Sequence, residues 1–147
     1  MGELLYFEAE AESDEILKAL KENGACVILN LMKDGLKDRV LDELKPLIES
    51  TPDGNDDFTG KQTGRTGALV ARSESSRELV MDRKITALAT QFLEPYTDKI
   101  QLHLTQIIDI RPGQGAQPRH RDRLAWGRYL PDQIEPQFNT MLSLIHI

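Results

Sequence analysis

The sequence predicts an α+β domain in which helices gathered toward the N-terminus buttress a sheet built later in the chain. Two patterns carry that expectation. Apolar residues recur at helical spacing between residues 13 and 94, and a β-branched run with partial alternation follows from Ile100 to Arg111. A chain of 147 residues is expected to form one domain with a real core.

Ser13 is the expected N-cap of a helix carrying Ile16, Leu17 and Leu20 on one face, with Gly24 as its stop. The run Ala25 to Leu29 then reads as a short buried strand. Leu36, Val40, Leu41, Leu44, Leu47 and Ile48 recur at helical spacing, and Pro46 is expected to kink or end that helix. Ser50 to Gly67 is rich in Gly, Asp, Thr and Asn, which describes a long loop of the kind that often carries function. Ala68 to Ala71 reads as a strand. Arg77 to Glu94 reads as a helix with Leu79, Val80, Leu88, Phe92 and Leu93 on its apolar face. Along the strand expected from Ile100 to Arg111, His103, Thr105, Ile107 and Asp109 share one face. Leu104, Gln106, Ile108 and Ile110 share the other, which is greasier and is expected to be core. Pro112 and Gly113 turn the chain, and Gly115 and Pro118 keep it irregular up to His120.

Hydrophobic content of 39% and charged content of 29% describe an ordinary folded protein. The net charge of -6 argues against a nucleic-acid partner, since phosphate neutralisation needs a basic surface. No stretch approaches the roughly 20 apolar residues of a membrane span, and the acidic N-terminus is unlike a signal peptide. The single cysteine, Cys26, lies in an apolar run and reads as a buried structural thiol rather than a nucleophile. A cytoplasmic location is the expectation.

The motif that carries chemistry is His120-Arg121-Asp122. A His and a carboxylate two residues apart on extended backbone project from the same face, so both reach one metal ion while Arg121 points away. With a second His from elsewhere, they make the facial triad of non-haem Fe(II) oxygenases, which leaves coordination positions open. Alone, His-x-Asp is a weak signal, and a plain α+β domain with an incidental pair is the rival reading. The kinase pattern H-R-D-x-x-x-x-N is excluded, because Gly127 stands where Asn is needed and no Gly-rich phosphate loop precedes it.

The segments Arg65 to Ser73 and Leu104 to Gly113, the His120-Arg121-Asp122 motif, Trp126 and Tyr129-Leu130-Pro131 together resemble the phytanoyl-CoA dioxygenase family. The similarity covers most of residues 13 to 141. The resemblance implies a double-stranded β-helix (jelly-roll, cupin-like) with flanking N-terminal helices, of which this chain would form an incomplete part. It implies an Fe(II)/2-oxoglutarate-dependent dioxygenase acting on a small-molecule substrate, with His120 and Asp122 as iron ligands. Thr105 or Asp109 would help hold 2-oxoglutarate, with Gln106 as an alternative, and Trp126 would flank the substrate pocket. Arg65 and Arg72 are further candidates for an acidic substrate or co-substrate. A non-catalytic β-helix that binds a small molecule is the second rival.

In that family a distal His and then a basic residue follow several tens of residues after the first ligands, and neither is found here. His146 is not taken as the distal ligand. The last six residues, Leu142-Ser143-Leu144-Ile145-His146-Ile147, translate CTG TCT CTT ATA CAC ATC, which resembles a transposase mosaic end used in sequencing libraries. Residues 1–141 are therefore expected to be the N-terminal part of one oxygenase domain, inactive by itself, and 142–147 a non-native tail.

Overall fold

In the computed structural model, which describes residues 3–118, the first core forms around helix α1 (Ser13–Asn23). Its Ile16, Leu17 and Ala19 are buried, as an apolar stripe on a 3.6-residue repeat requires. Ile16 and Leu17 cluster with Leu88, and Phe7, Leu20, Cys26, Ile28 and Phe92 close around them. Gly24 ends the helix in the left-handed region at φ 81°, returning its N–H to the Leu20 carbonyl. Ser13 is not the N-cap. That position belongs to Glu12, which makes no side-chain cap, while Asp14 and Glu15 in the first turn favour the positive end of the helix dipole.

A strand that the sequence did not announce, β1 (Leu5–Phe7), pairs in parallel with β2 (Cys26–Ile28). Helix α1 is the crossover that a parallel pair needs. Cys26 is half-buried in this pair, and burial pushes its thiol pKa up, which suits a structural thiol.

The second core forms along α2 (Leu36–Ser50), where Leu36, Val40 and Leu44 repeat every four residues and are buried. The helix runs through Pro46 rather than ending there. Pro46 and Asp42 lie on the exposed side, so the Asp42 carbonyl that loses its N–H partner is not sealed in the core. Residues expected as a strand at Ala68 to Ala71 instead make a helical turn, α3 (Leu69–Arg72), reached through Ala68 at φ 58°. The expected helix from Arg77 to Glu94 is two helices, α4 (Glu74–Val80) and α5 (Arg83–Leu93). Asp82 makes the break, because its side chain caps the Ile85 N–H and starts a new helix. Lys84 of α5 donates to the carbonyls of Ala9 and Ala11, tying α5 to the segment before α1.

Strands β3 (Thr63–Gly67) and β4 (Gln106–Ile110) pair antiparallel, with Thr63 opposite Ile110 and Gly67 opposite Gln106. The expected loop from Ser50 to Gly67 therefore ends in a strand, and the expected strand from Ile100 shrinks to Gln106–Ile110. Its faces are also reversed from expectation. Ile107 packs on the α2 cluster, while Leu104, Ile108 and Ile110 are exposed at 63%, 44% and 60%. Among the described residues the strands form two separate two-stranded sheets, and the architecture is α+β. No helix there is long and apolar enough to cross a membrane.

Polar seams fix the helices and the ribbon to α2. The Thr51 hydroxyl donates to the Leu47 carbonyl at 2.7 Å, so its contact with the buried Thr66 hydroxyl at 2.8 Å has Thr66 as donor. Glu43 reaches from α2 to the start of α4. Its carboxylate accepts from the Ser73 and Ser75 hydroxyls, both at 2.6 Å, and from the Ser75 N–H at 3.1 Å. Ser73 also caps α4 by accepting from the Ser76 N–H. These donors hold the Glu43 carboxyl down at about 2, with the Ser73 hydroxyl the largest cause. The seam therefore stabilises the fold fully above the ordinary glutamate range near 4.5 and loses that contribution as pH falls toward 2. Glu43→Gln should lower the denaturation midpoint at pH 7 and flatten its decline between pH 5 and pH 2. Denaturant titrations of both proteins across that range measure the difference.

Candidate functional site

His120, Asp122, Trp126 and His146 lie outside the described residues. Among the described residues no group of three or more His, Cys, Asp or Glu side chains is arranged to hold a metal. The structure does show the path of the chain up to Pro118. Strand β4 ends at Ile110, and the turn after it passes through Gly113 at φ 89°. From there the chain runs along the loop that links α2 to β3.

That loop, residues 51–62, is closed on itself. Gly54 donates to the Thr63 carbonyl at 3.1 Å, and Gly60 donates to the Asp56 carbonyl at 2.9 Å. The Asp56 carboxylate accepts from the Thr59 N–H and hydroxyl at 2.6 and 2.7 Å, and these bonds lower its pKa, the backbone bond most. Two glycines are required by the packing. A Cβ on Gly54 would lie 2.6 Å from the Gly60 carbonyl oxygen, and one on Gly60 would lie 2.4 Å from the Thr63 hydroxyl.

Between this loop and the ribbon lies an open cleft of about 300 Å³ lined by Pro52, Asp53, Gly54, Asn55, Thr59, Thr63 and Arg65. Arg65 stands opposite Ile108 on the ribbon face turned away from α2. Its Nε donates to the Thr59 carbonyl at 3.1 Å, and its two terminal nitrogens have no partner among the described residues. A guanidinium fixed at Nε and open at its other nitrogens is preorganised for a carboxylate or phosphate. The sequence signal for it was slight, a single Arg within a charged chain.

The other candidates divide. The Thr105 hydroxyl accepts from the Leu69 N–H at 3.0 Å, which gives it a structural task at the start of α3. Asp109 is half-buried opposite Gly64, on the same ribbon face as Ile107 and opposite in direction to Arg65. Gln106 is half-buried at the other end of the ribbon, opposite Gly67, and His103 and Arg72 are exposed. The structure thus does not gather Thr105, Asp109 and Arg65 around one point, because Asp109 and Arg65 leave opposite faces of the same ribbon.

Comparison with known proteins gives the family. The phytanoyl-CoA dioxygenase (PhyH) family pattern matches residues 20–145, most of the chain, a span within which His120 and Asp122 fall. The chain belongs to the phytanoyl-CoA dioxygenase family. Fungal dioxygenases are similar to it along most of its length. It is 27% identical to dioxygenase FrzG of Cladobotryum sp over 92% of this chain and 50% of that protein. It is 30% identical to the multifunctional dioxygenase ausE of Emericella nidulans over 88% of this chain and 46% of that one. Dioxygenase sphC of Aspergillus fumigatus is 26% identical over 92% of this chain and 41% of its own length. The chain spans about half the length of these curated relatives.

The loop geometry makes a direct prediction. Gly54→Ala forces a Cβ into backbone that has no room to give, and should cost about 1–3 kcal/mol as an overpacking defect. Gly115→Ala, whose added Cβ meets nothing within 4 Å, should be close to neutral. Chemical denaturation of the two variants side by side measures both.

Proposed function

We propose that the full protein is an Fe(II)/2-oxoglutarate-dependent dioxygenase that hydroxylates a small organic molecule. The observation that carries the proposal is the family match running through His120 and Asp122. The relatives' names, all dioxygenases, support it. The donor set fits: one imidazole nitrogen and one carboxylate oxygen, two residues apart, are two of the three ligands of an Fe(II) facial triad. The third ligand is a further His beyond this pair.

Iron with 2-oxoglutarate and oxygen supplies the oxidising power; the protein supplies binding, orientation and exclusion of side reactions. Here His120 and Asp122 would hold the metal. Arg65 would bind a carboxylate of the co-substrate or of an acidic substrate, its Nε held by Thr59 so that little side-chain freedom is lost on binding. Trp126 would flank the substrate, and Thr105 and Asp109 remain candidates for orienting 2-oxoglutarate. In this proposal the β3–β4 ribbon is one part of a double-stranded β-helix, whose remaining strands would cover the exposed Ile108 and Ile110. We propose a cytoplasmic location, in keeping with the lone half-buried thiol of Cys26.

The test is turnover by the full-length protein. With Fe(II), 2-oxoglutarate and oxygen it should form succinate slowly even without its own substrate. Asp122→Ala should abolish succinate formation while the thermal midpoint stays within a few degrees of the parent. Absence of succinate from a folded, iron-loaded protein would overturn the reading.

A further inference from the structure

Asp53 and Arg65 line the same cleft, yet the Asp53 carboxylate forms its ion pair with Arg111 instead. We propose that Arg111 is a positioning residue that keeps Asp53 from competing for Arg65, and so leaves Arg65 open to a carboxylate ligand. This inference rests on Arg65 as the anion-binding group of the proposed function. An arginine that shares a cleft with an unpaired carboxylate would be neutralised from within. Arg111 removes that competitor.

The pair is prepared by main chain on both sides. Asp53 bridges Gly64 in antiparallel register, and the Gly54 N–H donates to the Thr63 carbonyl at 3.1 Å. Across the ribbon the Arg111 N–H donates to the Gln62 carbonyl at 3.0 Å. The 62–64 stretch therefore lies between Asp53 and Arg111 and holds both. Asp53, Gly64 and Asp109 line up in register, and strand alternation puts Arg111 on the Asp109 face. Arg65 leaves the opposite face, so pairing with Arg111 draws the Asp53 carboxylate away from it. Asp53 belongs to a loop and bridges the ribbon at one residue pair, so no ladder of its own fixes its side chain. Its ring of constraint is Arg111. Both side chains are partly exposed, at 49% for Arg111 and 37% for Asp53, and such a pair adds little to stability. Its effect belongs in binding: a unit charge left unpaired in the cleft wall should weaken an anion's affinity several-fold at low salt, and high salt should screen that loss.

The experiment titrates the full-length protein by calorimetry with two probes. 2-Oxoglutarate stands for a co-substrate carboxylate, and benzoate, added with 2-oxoglutarate saturating, stands for a substrate carboxylate. The probe that weakens with Arg65→Gln identifies which of the two the cleft takes. For that probe, Arg111→Gln should weaken binding several-fold, and Asp53→Asn should leave it unchanged or tighter. Asp53→Asn combined with Arg111→Gln should return the affinity to within about twofold of the parent, because the two changes are coupled. The gap between parent and Arg111→Gln should close in about 1 M salt. Equal weakening by both single variants would show a structural role for the pair and overturn the proposal. So would a loss in Arg111→Gln that Asp53→Asn does not restore, or no loss at all. If Arg111→Gln does not fold, Asp53→Asn still decides, since a several-fold loss on removing the competitor would overturn the proposal. Indifference of both probes to Arg65→Gln would overturn the Arg65 assignment and this inference with it, while succinate formation by the parent would leave the dioxygenase reading standing.

Discussion

The antiparallel pairing of Thr63–Gly67 with Gln106–Ile110 is the constraint on which the rest of the described chain depends. It joins segments separated by three helices, so α3, α4 and α5 must all leave and return within the span of one short ribbon. The entropy lost in closing so long a loop grows only slowly with its length. It is offset by burying one face of the ribbon, where Ile107 joins the α2 cluster and Thr66 is 2% exposed. The other face is left to carry Arg65, Ile108 and Ile110. The same pairing brings Arg111 against Gln62, so the chain leaves β4 already in contact with the loop.

Helix α2 is the surface against which this ribbon is held, and it does so by two kinds of contact. Leu36, Val40 and Leu44 give it an apolar stripe, and Thr51 and Glu43 give it polar partners on either side. The buried hydroxyls there are shared economically. Ser73 donates to Glu43 and accepts from Ser76, while Thr66 donates to Thr51, which donates to Leu47. Among the buried side-chain polar atoms of the described residues, the Ser76 hydroxyl oxygen lacks a hydrogen-bond partner. The seams orient α4 as well as attach it, and Arg39 adds an ion pair to Glu78 at 3.1 Å across the same α2–α4 contact.

Much of this was legible in the residues, and the misses have physical causes. The α1 stripe with its Gly24 stop, and the α2 stripe, were readable because an apolar period of 3.6 sustained over three turns admits few other structures. The apolar run at Ala68 was too short to separate strand from helix, and a left-handed Ala68 leaves no mark in composition. Strand β1 was hidden because three residues with Tyr6 63% exposed show no pattern. Asp82 was readable in principle as a cap, but the apolar positions on either side of it mimic one continuous helix. The reversed faces of β4 show the limit of counting apolar residues: which face meets α2 is set by tertiary packing, not by the strand alone. At the site, Arg65 and Arg72 are equal candidates by charge alone, and the loop that folds over the Arg65 Nε is what sets Arg65 apart.

The proposed dioxygenase reading stands or falls with iron held by His120 and Asp122. Iron-directed oxidative cleavage of the full-length protein tests this without any knowledge of the substrate. Fe(II)-loaded protein is exposed briefly to ascorbate and oxygen, and the fragments are mapped by mass spectrometry. The predicted result is cleavage concentrated at 118–124 and lost in His120→Ala. Cleavage concentrated elsewhere, or an unchanged pattern in His120→Ala, would contradict it.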